Sequence, residues 1–124
     1  MTVKTNELHV KSFDIPDDSF PVGNIARVEF LHLGETDAHR ATFQPGFRWT
    51  EHVKPLVDTD LCEIPHTGIV VSGRIGVRMA DGTEREMGPG DVFNVGPGHD
   101  VWVIGDEPYV AIDFSPAEAP LPLK

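Results

Sequence analysis

The sequence predicts an all-β chain, a sandwich or barrel of short strands, on three observations. Its apolar residues recur with period two in runs of five to nine residues, the alternation of half-buried strands. The runs are separated by Gly, Pro and Asp clusters and follow one another at intervals of roughly 8 to 12 residues, a spacing typical of sandwiches and barrels. No 12-residue window carries a helical apolar stripe, and no segment repeats.

Each run supports the reading in its own way. "IARVEFLHL" (25–33) places Ala26, Val28, Phe30 and His32 on one face and Ile25, Leu31 and Leu33 on the other. With apolar residues on both faces, this strand is suited to being covered twice, as at a subunit interface. "CEIPHTGIVVSGR" (62–74) sets Cys62 and His66 four residues apart ahead of a buried strand. In "RIGVRMADGTEREMG" (74–88), Ile75, Val77 and Met79 share a face. Asp81-Gly82 suits a tight hairpin turn there, because both residues tolerate positive φ. "DVFNV" (91–95), "HDVWVIG" (99–105) and "YVAIDF" (109–114) follow, each bounded by turn residues. The Pro-rich tail "SPAEAPLPLK" (115–124) reads as extended, either a frayed end or a segment packed on a neighbouring subunit.

A chain of 124 residues fits one domain, 1–124, around one core. Twenty acidic residues against ten lysines and arginines, a net charge of −10, repel phosphate backbones and anionic lipid, so nucleic acid and membrane surfaces are excluded as partners. The start, "MTVKTNELHV", lacks a signal-peptide core and no run of 18 apolar residues occurs, so a cytoplasmic location is expected. The single cysteine makes no internal disulfide, in keeping with a reducing compartment.

Two motifs carry a resemblance. "GPGDVFNVGPGH" (88–99) supplies Gly-Asp, a short strand and Pro97-Gly98-His99. Upstream, five residues separate Gly46 from His52 and six separate His66 from Gly73. Together these resemble the two motifs of the cupin superfamily, at about 46–73 and 88–103, in small single-domain bacterial cupins of the RmlC-like jelly-roll type. The sequence departs from the pattern at Lys54, where a second histidine is usual, at His66, where glutamate is usual, and at Val103, where asparagine is common. About eight extra residues, "PLVDTDLC", also separate the halves of the first motif. The resemblance implies a jelly-roll barrel, a metal site in its pocket, a small-molecule ligand or substrate and a homodimer.

The resemblance makes His52, His66 and His99 the candidate ligands of a divalent transition metal. Neutral imidazoles suit Zn, Fe, Mn, Ni or Cu, and three protein ligands with an open position describe a catalytic site. Cys62 is a conditional fourth. Residues four apart in a flat strand lie about 13 Å from each other, so Cys62 and His66 can share an ion only if the chain bends, as Pro65 allows. Without the bend, Cys62 is a small buried hydrophobe. Lys54 has the parity of His52 and either holds an anionic group in the pocket or stands outside as a solvated charge. Glu51 and Glu63 lie on the same segments and, with Lys54, are the candidate catalytic acid, base or substrate-holding groups. Strand alternation turns Val101 and Val103 the same way as His99 and Trp102 the opposite way. His9, His32 and His39 lack motif spacing and take structural or solvent roles.

Two functions are consistent with these residues: a metal-dependent enzyme of dioxygenase, isomerase, cyclase or lyase type, and a non-catalytic cupin that binds or senses a small molecule. A metal-free enzyme using Cys62 or Lys54 covalently is a third, with His66 as base if the chain bends.

Overall fold

The computed structural model describes residues 7–117. The first six residues of the chain and the tail from residue 118 onward lie outside them. Among the described residues, nine strands form two antiparallel sheets: β1 (Asp18–Val22), β2 (Ala26–Leu33), β3 (Thr36–Phe43), β4 (His66–Ser72), β5 (Arg74–Met79), β6 (Glu84–Met87), β7 (Val92–Val95), β8 (His99–Ile104) and β9 (Tyr109–Pro116). The larger sheet runs β1-β2-β3-β9-β4-β7 and the smaller β6-β5-β8. The all-β expectation holds. A short helix α1 (Trp49–His52) and a 3-10 turn (Lys54–Leu56) occupy the segment between β3 and β4.

The alternation read in the sequence becomes burial. Ala26, Val28 and Phe30 on β2 and Ile75 and Val77 on β5 turn inward and are buried. Leu31, on the opposite face of β2, is buried too, so this strand is covered on both faces within one chain. Glu29 shares that outer face and is paired with Arg40 at 2.8 Å.

The β5–β6 hairpin is looser than a two-residue turn. Asp81 does not take positive φ; only Gly82 does, at 92°. Asp81 instead accepts a hydrogen bond from Thr83 N through Oδ1 at 2.9 Å, the usual way an aspartate closes a turn on its own backbone. Strands β1 and β3, whose mixed polar residues conceal the alternation, were not legible in the sequence.

Two isolated bridges, Arg48↔Trp102 and Cys62↔His99, tie the β3–β4 connection to the outer edge of the small sheet. Cys62 N donates to His99 O at 2.9 Å, and Gly98 N donates to Cys62 O at 2.8 Å. Asp100 reinforces the attachment: Arg48 Nε (2.8 Å), Thr50 N (3.1 Å) and Thr50 Oγ1 (3.1 Å) all donate to its buried carboxylate. Through these bonds Trp49 and Cys62 close one side of the space between the sheets.

Candidate metal centre

Cys62 belongs to the bridge with β8, residues 63–65 have no regular structure, and β4 begins only at His66. The chain therefore bends between the two residues, at the segment holding Pro65. The bend brings Cys62 Sγ to 3.8 Å from His66 Nε2, far inside the flat-strand separation. His99 enters from β8, its ring edge-on to His66 with centroids 5.3 Å apart. One ligand atom from each of Cys62, His66 and His99 lies within 4.8 Å of the others.

Both imidazoles are held from behind. His66 Nδ1 is 2.7 Å from Asp113 Oδ2, and His99 Nδ1 is 2.6 Å from the carbonyl oxygen of Gly96. With each Nδ1–H donating to its oxygen, Nε2 is the nitrogen left for a ligand, the arrangement that metal-binding histidines favour.

The three groups line an apolar cavity of about 80 Å³, whose wall also includes Trp49, Met87, Phe93, Val95, His39 and Asp113. Burial raises the pKa of Cys62, but hydrogen bonds with His66 and His99 outweigh it and bring the thiol down to about 6. Burial lowers the pKa of His66, but Asp113 and the Cys62 sulfur outweigh it and carry it up to about 9. In the absence of metal, a thiolate beside an imidazolium is the favoured state of the pair at neutral pH.

The structure does not bring His52 into this group. It ends α1, where Nδ1 lies 3.1 Å from Arg48 N, Nε2 lies 3.0 Å from Glu51 and the ring stacks on Phe47 at 5.6 Å. The strand parity expected for the segment fails because it coils into a helical turn, where successive side chains rotate by about 100°. Nor do the three candidate catalytic groups line the cavity. Glu51 is exposed beside His52, Lys54 is exposed with Nζ 3.4 Å from Asp60, and Glu63 is exposed on the segment before β4. Lys54 follows the outward of its two readings.

Asp113 and His39 were missed. Tyr109, Ala111 and Asp113 alternate inward along β9 and are all buried, and a carboxylate on the apolar face of such a strand was the available signal. His39 faces Asp113 across the β3–β9 pair and is buried, with Nε2 3.3 Å from Ser115 Oγ. It lines the cavity, whereas its lack of motif spacing had assigned it a structural or solvent role. Val101 lines the cavity as alternation required, and Trp102 turns away to lie under the Arg48 guanidinium at 4.8 Å.

Solved structures share this architecture. An RmlC-like cupin from Shewanella frigidimarina matches with a TM-score of 0.61 at 18% identity, covering 90% of this chain and 92% of its own. The chain has the cupin fold. The polyketide cyclase RemF from Streptomyces resistomycificus superposes on this cupin barrel with a TM-score of 0.65 at 15% identity, covering 93% of this chain and 83% of its own. KdgF from a Halomonas species matches with a TM-score of 0.58 at 19% identity, covering 82% and 88%. No protein-family model and no curated protein matches the chain. Among the described residues of the cupin barrel, no helix is long and apolar enough to cross a membrane.

Proposed function

We propose that the chain is a metal-dependent enzyme acting on a small organic molecule in the barrel cavity, with Cys62, His66 and His99 as ligands of a divalent transition metal. The observation that carries this reading is the meeting of three ligand atoms of suitable chemistry within 4.8 Å at the wall of an apolar cavity. A thiolate with two imidazoles is a borderline-to-soft set that suits Zn, Fe, Ni or Cu better than Mn, and three protein ligands leave a position open. Bound there, the metal would supply a Lewis acid for a substrate oxygen.

The remaining roles fall to the chain's own groups. Asp113 keeps the His66 proton on Nδ1 and fixes the ring plane. Trp49 lines the cavity, and its indole N–H is a buried donor without a partner among the described residues, so a substrate acceptor would satisfy it. His39 is held neutral by burial, which lowers its pKa despite Asp113 and Asp37, and is the cavity group suited to exchange a proton with substrate. These two replace the exposed Glu51, Glu63 and Lys54. The reaction belongs to the dioxygenase, isomerase, cyclase or lyase types that the fold supports.

A second reading has its own observation. Cys62 Sγ, His66 and Asp113 stand in succession at 3.8 and 2.7 Å, the order of nucleophile, base and orienting carboxylate. Metal analysis of protein purified without added metal, followed by Co²⁺ titration of chelator-treated protein, separates the two. The metal reading expects stoichiometric metal and a sulfur-to-cobalt charge-transfer band lost in Cys62→Ser. Binding should also be lost in His66→Ala and His99→Ala but retained in His52→Ala. Wild-type protein that carries no metal and takes up none of the five candidate ions overturns it.

A further inference from the structure

The barrel is open along one side. Strands β6 and β7 are terminal in their respective sheets, and between them lies an open groove of about 490 Å³. Val77, Met87, Phe93 and Val95 line both this groove and the inner cavity, so the groove is the approach to the metal centre.

Arg85 lines the groove. In the β5–β6 register it stands opposite Val77, and Met87 stands opposite Ile75, so Arg85 projects from the inward face of the small sheet at its open edge. The neighbouring residues Glu84 and Glu86 pair with Arg78 (3.8 Å) and Arg74 (3.5 Å), and Glu86 also lines the groove. Asp91, across the groove, accepts a hydrogen bond from Gly88 N at 2.8 Å. Lys11, Arg40, Arg48, Lys54, Arg74 and Arg78 all have carboxylate partners. Among the described lysines and arginines, only Arg27 and Arg85 do not, and Arg27 lies on the outer face of β2. In a chain of net charge −10, an unpaired guanidinium facing the mouth of an apolar cavity is a ready receptor for a planar anion.

We infer that Arg85 binds the carboxylate of the substrate, and that the site takes a small monocarboxylic acid whose apolar body lies along Met87, Phe93 and Val95. The inference rests on the proposed small-molecule site and names its substrate class. Arg85, Val77 and Val101 form one cross-strand row, and His99 lies two residues along β8, so Arg85 and His99 are about 12 Å apart at Cα. Both side chains leave the same face of the small sheet, so a body of a few carbons would fit between their ends. One arginine flanked by Glu84, Glu86 and Asp91 suits a single negative charge better than a phosphate's two.

Calorimetric titration with butyrate, hexanoate, hexanamide and hexyl phosphate, on zinc-loaded and metal-free protein, tests this. Hexanoate should bind at least about tenfold more tightly than hexanamide, and Arg85→Gln should abolish that preference while leaving metal content and melting temperature unchanged. Arg85→Lys should keep part of it. Equal binding of acid and amide, undiminished acid binding in Arg85→Gln, or no binding of either acid overturns the inference, and tighter binding of hexyl phosphate overturns the carboxylate class. Protein that loads metal but shows no Arg85-dependent acid preference sinks this inference alone. Protein that takes up no metal yet binds the acids through Arg85 sinks the metal reading alone.

Discussion

His66 is held between two strands that are adjacent in the sheet but distant in the chain: its Nδ1 lies 2.7 Å from Asp113 Oδ2, 47 residues away. Buried on β9, the carboxylate fixes the ring, its protonation and the direction of Nε2 toward Cys62. Asp113→Asn keeps a hydrogen-bond acceptor but removes the charge. It should weaken metal binding by about 10- to 100-fold with little loss of folded protein, read by competition against a chelating dye. Unchanged metal affinity would show that Asp113 is merely structural.

Because Cys62 is the only cysteine, its ionisation can be followed by thiolate absorbance near 240 nm in metal-free protein. The titration should centre near pH 6, where His66 and His99 hold the thiol against the upward push of burial. In His66→Gln the midpoint should move up toward the ordinary thiol value of about 8.5. A wild-type midpoint already at that value would contradict the pairing.

The stability of the metal-free protein should be nearly flat between pH 6.5 and 8.5 and fall on both sides. The depressed Cys62 pKa gives stability that is complete above the unfolded thiol pKa and lost as pH falls toward about 6. The raised His66 pKa gives stability that is complete below 6.5 and lost as pH rises through about 9. Between these limits folding moves a proton from sulfur to imidazole without net uptake or release, and the two slopes cancel. His39, whose pKa burial lowers, steepens the acid side, because below 6.5 the unfolded chain binds a proton that the folded chain resists. Urea midpoints measured from pH 5 to 10 check the plateau, and a steady slope across it would contradict the account.

Two glycines in the sheets should differ in their response to alanine. A Cβ at Gly68 would run into the backbone oxygen of Ile112 on the neighbouring strand, whereas at Gly76 it would run into the Trp102 side chain. Backbone held in a central ladder cannot yield, but a half-exposed indole can rotate. Gly68→Ala should therefore cost about 3 kcal/mol or more and Gly76→Ala about 1 to 2 kcal/mol, measured by denaturant unfolding. The reverse order would show that Trp102 is the more rigid neighbour.

The sequence by itself determined the β class and the alternating faces of β2, β5 and β8, and its motif spacing put His66 and His99, with His52, among the candidate ligands. Each of these is written in local alternation or in motif spacing, and strand geometry acts over a few residues. Only the tertiary structure decided which other groups join them. Cys62 reaches His66 because the chain bends at residues 63–65 and pairs with β8, a contact between segments 37 residues apart in sequence. His52 is turned away because its segment coils, Asp113 and His39 arrive on strands whose pairing periodicity alone does not reveal, and Arg85 faces the groove only through its register with Val77. Convergence of side chains from separate strands depends on which strands become neighbours, and packing of the whole chain sets that.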